Sequence, residues 1–198
     1  MEVKRHGGQR DLFRVPAQGG PVRQLTHTSF SESGPSYSRD GKWIYFVSDR
    51  AAHSQIWKMP VEGGEQIQVT RNGGSNPQDS MDGKILFYLK SKEPPDVDSE
   101  ELWSMELEGG AERRVLEGVL TANFDVKQRG VYYAHAEVSP QHPEFLFYDF
   151  ATGKTKRIAT IDGFVWNGFS VSPDEQSILF TQSQGEGTND LMMVENFR

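Results

Sequence analysis

The residues able to do chemistry are few and scattered. Five histidines, His6, His27, His53, His135 and His142, are spread over 198 residues, and none forms the H-E-x-x-H spacing that sets two imidazoles on one helical face around zinc. His135 and His142 could approach across a single loop, but the pattern reads as two loop histidines. Asp96, Asp98, Glu100 and Glu101 in "PPDVDSEE" could turn oxygens towards calcium. That run lacks the glycine and the distal glutamate of an EF-hand loop, so it reads as a solvated acidic loop. "GFSVS" at 168–172 approaches the G-x-S-x-G elbow of serine hydrolases, yet serine stands where the final glycine belongs. No G-x-x-x-x-G-K-[ST] phosphate loop occurs. The absence of cysteine removes thiolate metal sites, cysteine nucleophiles and disulfides together. The expectation is a chain with no catalytic residue, no metal and no cofactor.

Composition narrows the partners. Charged residues make up 25% and the formal net charge is -7, a balance that repels phosphate backbones; no Lys/Arg block interrupts it, so nucleic acid is not an expected partner. No stretch approaches the roughly 18 apolar residues of a spanning helix, and "MEVKRHGGQRDLFRVP" has no apolar signal core. The chain as written is expected to be soluble, cytoplasmic or periplasmic, without membrane insertion.

The elements that would hold any site are set by a repeat. "DLFRVPAQGG" at 11–20 returns as "QIWKMPVEGG", "ELWSMELEGG", "FLFYDFATGK" and "DLMMVENFR". Taking Leu12, Ile56, Leu102, Leu146 and Leu191 as equivalents gives steps of 44, 46, 44 and 45. A second series, "GKWIYFVS", "GKILFYLK", "RGVYYAHA" and "QSILFTQS", aligns Ile44, Ile85, Val131 and Ile178 with steps of 41, 46 and 47. Each unit of about 45 residues reads as four short strands, A to D, divided by Gly and Asp-Gly turns, with no helical period anywhere. Asp40-Gly41 and Asp82-Gly83 predict two-residue hairpins.

The B strands are apolar on both faces: Ile44 and Phe46 point one way, Trp43, Tyr45 and Val47 the other. Both faces must therefore be covered, and a radial stack of four-stranded sheets supplies that cover. The predicted fold is an all-β propeller of antiparallel blades, about four to five of them, within one domain over 1–198. The divisions are a partial blade at 11–26, full blades at 34–72, 73–117 and 118–162, and a three-stranded last blade at 163–198. Trp43, Trp57 and Trp103 fall at repeat positions and read as packing, whereas Trp166 lies near a D-to-A connector and is the exposed candidate.

Alternating strand direction puts the A-B and C-D turns on one face and the B-C and D-A connections on the other. The second set varies in length, and length variation on a rigid scaffold is where specificity resides. The candidate binding face comprises Asp49, Arg50, His53, Asp96, Asp98, His135, His142 and Trp166.

Residues 35–70, "PSYSRDGKWIYFVSDRAAHSQIWKMPVEGGEQIQVT", resemble the WD40-like PD40 repeat of TolB-type β-propellers, and the likeness runs from Asp11 to Arg198. The closing segment resembles the end of bacterial regulator-type proteins in which such repeats follow a winged helix or a kinase. The resemblance implies a scaffold used for binding, as in the periplasmic TolB protein that contacts envelope partners, and a parent of six blades. Ser172-Pro173-Asp174 keeps the Ser-Pro-Asp of the repeat; Ser38-Arg39-Asp40 and Ser80-Met81-Asp82 are variants, and "VKQRG" in the third copy has lost both serine and aspartate. The expected function is a non-catalytic module that binds a protein or peptide, with a homo-oligomer through open end blades as a further expectation. Two alternatives stand beside it: a propeller hydrolase or lactonase with a metal at the central channel, and a self-assembling structural unit.

Overall fold

The computed structural model describes residues 2–4, 8–51, 53–92, 99–135, 142–183 and 189–195, and every regular element among them is a strand. Among those residues no helix is long and apolar enough to cross a membrane. Two compact units are distinguished, Met1–Lys90 with Glu106–Gly110, and Ser91–Met105 with Ala111–Arg198.

The first unit is built of antiparallel sheets. β1 (Glu2–Lys4), β2 (Arg10–Arg14) and β3 (Arg23–Gln24) form one; β4 (Glu32–Tyr37), β5 (Trp43–Ser48), β6 (Gln55–Pro60) and β7 (Ile67–Gln68) form the next; β8 (Ser75–Asp79) pairs with β9 (Ile85–Ser91). Leu12 and Leu25 of the first sheet pack on Ile44, Phe46 and Met59 of the second. Tyr45, on the other side of β5, is buried as well, as a strand apolar on both faces requires.

The second unit follows the same plan. β10 (Ser99–Glu106), β11 (Arg113–Val126), β12 (Gly130–His135), β13 (Glu144–Asp149) and β14 (Lys154–Thr160) pair in sequence, and β15 (Phe164–Val171), β16 (Ser177–Ser183) and β17 (Asn189–Glu195) form a separate sheet. The core between them is aromatic, with the Phe145 ring edge-on to Phe169 at 5.2 Å and to Phe180 at 4.8 Å.

Two repeated devices fix strand ends and turns. Thr26 and Thr70 close the D strands: their hydroxyls accept the amides of Leu12 and Ile56, both at 2.9 Å, and the Leu25 and Val69 amides donate to the Leu12 and Ile56 carbonyls. In the A-B turns Ser38, Ser80 and Ser172 donate to Asp40, Asp82 and Asp174 at 2.7, 2.6 and 2.6 Å, while the same serine oxygens accept the amides of Trp43, Ile85 and Ser177. Where the chain has Gln128-Arg129 instead, the turn shortens to those two residues, closed by the Lys127 amide on the Gly130 carbonyl.

The structure departs from the sequence expectations in five places, one being that the Ser38–Trp43 and Ser80–Ile85 turn bonds make Leu86 rather than Ile85 the equivalent of Ile44. The Asp-Gly turns hold four residues rather than two, since the Ser38 amide bonds the Trp43 carbonyl and the Ser80 amide the Ile85 carbonyl. An additional strand, β1, pairs with β2, so the first blade has three strands rather than the two at 11–26. The third D strand and the third A strand are one continuous strand, β11, whose pairing shifts register between Val119 and Phe124. Finally, Ile44 pairs with Met59 but Val131 with Tyr148, which makes Phe145 rather than Leu146 the equivalent of Ile56.

Candidate functional site

Within each unit the B-C and D-A connections meet, as antiparallel alternation demands. In the first unit the Asp49 carboxylate accepts the Ser31 amide at 2.8 Å, and the Asp49 amide returns a bond to the Ser31 carbonyl. The Gln9 side chain donates to the carbonyls of Thr28 and Phe30. Beneath these loops lies Glu32, fully buried at the start of β4. Its Oε1 accepts Thr28 Oγ1 at 2.6 Å and Arg50 Nη2 at 2.9 Å; Oε2 has no hydrogen-bond donor among the described residues.

Arg50 is thus a brace. Its Nε also donates to Ser48 Oγ, and its guanidinium lies 4.2 Å from the centre of the Trp57 ring, a cation-π contact shielded from water. Asp49 is exposed but committed to backbone bonding, and His53 is exposed on the same connection. Of the predicted residues in this unit, His53 is the one presented outward apart from the braces described above.

In the second unit His135 ends β12, half-buried, with Nδ1 2.8 Å from the Gly118 carbonyl and its ring edge-on to Tyr133. His142 is exposed and stands 3.1 Å from the exposed Asp162 carboxylate. Gln182 bonds the Asp162 carbonyl from beneath, so the 161–163 connection is tied to β16. His135 and His142 therefore have separate partners rather than converging on one ion. Among the described residues no group of three His, Asp or Glu is placed to hold a metal. Asp96 and Asp98 lie outside the described residues.

Trp166 is not on a connector. β15 begins at Phe164, and Trp166 pairs with Thr181 on the open side of the last sheet, 55% exposed. The sequence reading missed Glu32, Thr28 and Asp162, the partners of its own candidates. Asp162 falls in the D-to-A connection four residues before Trp166 and carried a signal in its position; Glu32 stands 18 residues from Arg50 with no local pattern to link them.

A crevice of about 140 Å³ between the first two sheets is lined by Leu12, Leu25, Pro35, Tyr37 and Ile44, below the roughly 300 Å³ of small-molecule pockets. The Ser80-Asp82 type turns carry acidified carboxylates, but each is satisfied locally: hydrogen bonds from the preceding serine, then from an amide two residues on, hold Asp40, Asp82 and Asp174 below the usual carboxylate range.

The chain matches the TolB beta propeller domain model over residues 1–120. An uncharacterized protein of Agrobacterium fabrum is 34% identical over 107 residues, covering 50% of this chain and 36% of that protein. The Tol-Pal system protein TolB of Helicobacter hepaticus is 31% identical over 78 residues, 39% of this chain and 19% of the relative. Among solved structures, TolB from Acinetobacter baumannii superposes with a TM-score of 0.75 at 18% identity, over 94% of this chain and 46% of that one. The chain thus spans less than half the length of these relatives. With its four-residue Ser-x-Asp turns, threonine-closed D strands and all-β sheets matched by that model, the chain belongs to the TolB β-propeller domain family.

Proposed function

We propose that residues 1–198 act as one propeller domain that binds a protein or peptide through the rim where B-C and D-A connections meet, without chemistry of its own. The observation that carries this reading is the bracing of the described connections: Asp49 bonds Ser31, Arg50 bonds Glu32, His135 lies against the Gly118 carbonyl and Gln182 bonds Asp162. Loops ordered before association lose little conformational freedom on binding, which favours recognition by a preformed surface. His53, His142 and Asp162 stand outward from those braces and are the contact residues of this proposal. Relatives named for the Tol-Pal system favour a protein as the ligand class.

The test is a peptide selection on the immobilised chain, followed by calorimetry. Peptides are expected to lose about tenfold or more in affinity with His53→Glu or Asp162→Lys, in the range of a contact at an interface centre. Lys42→Glu and Lys84→Glu, on the A-B turns, should leave affinity unchanged. Binding that follows the turn variants and ignores the rim variants would overturn the proposal.

A further inference from the structure

Each sheet of this repeat has two apolar sides, and equivalent residues can be compared between repeats. The turn bonds that equate Trp43, Ile85, Gly130 and Ser177 set Tyr45, Phe87, Tyr132 and Leu179 at equivalent places in their sheets. The first three are 2%, 4% and 7% exposed; Leu179 is 40% exposed. Tyr132 shows what normally covers this side: it packs in the core with Phe169 and Val171 of the following sheet and donates its hydroxyl to Glu175 at 3.0 Å. Tyr45 likewise faces the following sheet, where Asp79 adds to the burial that raises its pKa. On the β15–β17 sheet that side carries Phe164, Trp166, Leu179 and Met193, all exposed, with Thr181 and Ser183 between them. Exposed apolar side chains gathered on one side of a sheet mark a contact surface.

The geometry of the repeat also says what shape fits: the opposite side of another sheet of the same kind. The chain carries one such side with an uncovered position. Met59 of β6 is fully buried in the core against the preceding sheet, whereas Val15, its equivalent after β2, is exposed, as is Val22 across the turn. We propose that the open side of the β15–β17 sheet docks the open side of the β1–β3 sheet of a second copy of this chain, a head-to-tail, sheet-on-sheet contact. The two surfaces are different patches of one molecule, so the association is heterologous and ends in a closed pair or continues as a longer series. It uses neither His53 nor His142, and does not depend on the rim reading above.

The test is the mass of the purified full chain by light scattering across a dilution series. Wild type is expected at twice the chain mass or above, returning to one chain on dilution. Trp166→Glu and Val15→Glu, each at an exposed position, should both give single chains with an unchanged far-ultraviolet β spectrum and a thermal midpoint equal to that of wild type diluted to single chains. Mixing the two variants should restore a two-chain species, because one intact contact remains between an unaltered last sheet and an unaltered first sheet. A single-chain mass for wild type at every concentration would overturn the proposal. So would a Val15→Glu chain that still pairs while Trp166→Glu does not, since the last sheet would then be meeting its own kind.

Discussion

Asp125 and Val171 are joined across two sheets of the second unit: Asp125 Oδ2 accepts the Val171 amide at 2.8 Å, and Lys127, 3.1 Å from the same carboxylate, donates to the Val171 carbonyl at 2.8 Å. Lys127 occupies the place of the turn serines Ser38, Ser80 and Ser172, so the copy that lost the Ser-x-Asp turn gained a clamp on its neighbour. Charge-assisted bonds from largely buried groups are worth about 1.5 to 3 kcal/mol each. Asp125→Ala is expected to destabilise the chain by about 2 kcal/mol in urea unfolding, and Lys127→Ser by less, because Asp125 still holds the amide.

Removing Arg50 leaves Glu32 as a charge with 0% exposure. Breaking one partner of a buried pair costs about 3 to 5 kcal/mol, far more than the pair itself contributes. Arg50→Ala should therefore cost about that much, and the double variant Glu32→Leu/Arg50→Met considerably less. Equal losses in the single and double variants would show that packing, not the stranded carboxylate, sets the penalty.

The Ser-x-Asp turns predict an acid response. Their carboxyl pKa values are lowered on folding, chiefly by the serine hydroxyl, so the stabilisation is complete above the unfolded pKa of about 3.9 and fades as pH falls through the folded value. Ser80→Ala should raise the Asp82 pKa towards its ordinary value in a carbon-detected NMR titration. The dependence of stability on pH in the acid range should flatten with it.

Two glycines separate backbone strain from crowding. Gly41 has φ of 70° and open space where a Cβ would stand, so Gly41→Ala is expected to cost about 1 kcal/mol from the left-handed backbone alone. At Gly130 a Cβ would run into the Tyr148 carbonyl and the Phe147 ring, with no positive φ involved. Gly130→Ala should cost about 3 kcal/mol, and Phe147→Leu in the same chain should recover part of it. Thermal or urea midpoints of the three proteins decide the matter.

The repeat, its period and the two-sided burial of the B strands were legible because turn glycines and apolar runs recur at fixed spacing. Other features left no such trace. β1, Glu2-Val3-Lys4, is joined through backbone pairing and has no apolar run to announce it. In "EFLFYD" three successive apolar residues satisfy either side of a buried strand, so alternation could not choose between Phe145 and Leu146 as the equivalent of Ile56. At the candidate site, side-chain type suggested that Asp49, Arg50 and His135 look outward. Their actual partners, a backbone amide, a carboxylate 18 residues away and a carbonyl 17 away, are brought near only by folding.

β11 has one further implication. Because a single strand serves as the last member of one sheet and the first of the next, there is no seam at residues 113–126 along which the repeats can be parted. A chain break at residue 117 would divide β11 between its pairing with β10 and its pairing with β12. Amide exchange across β10 to β13 should accordingly report one cooperative opening, a block larger than the 45-residue period that encodes it.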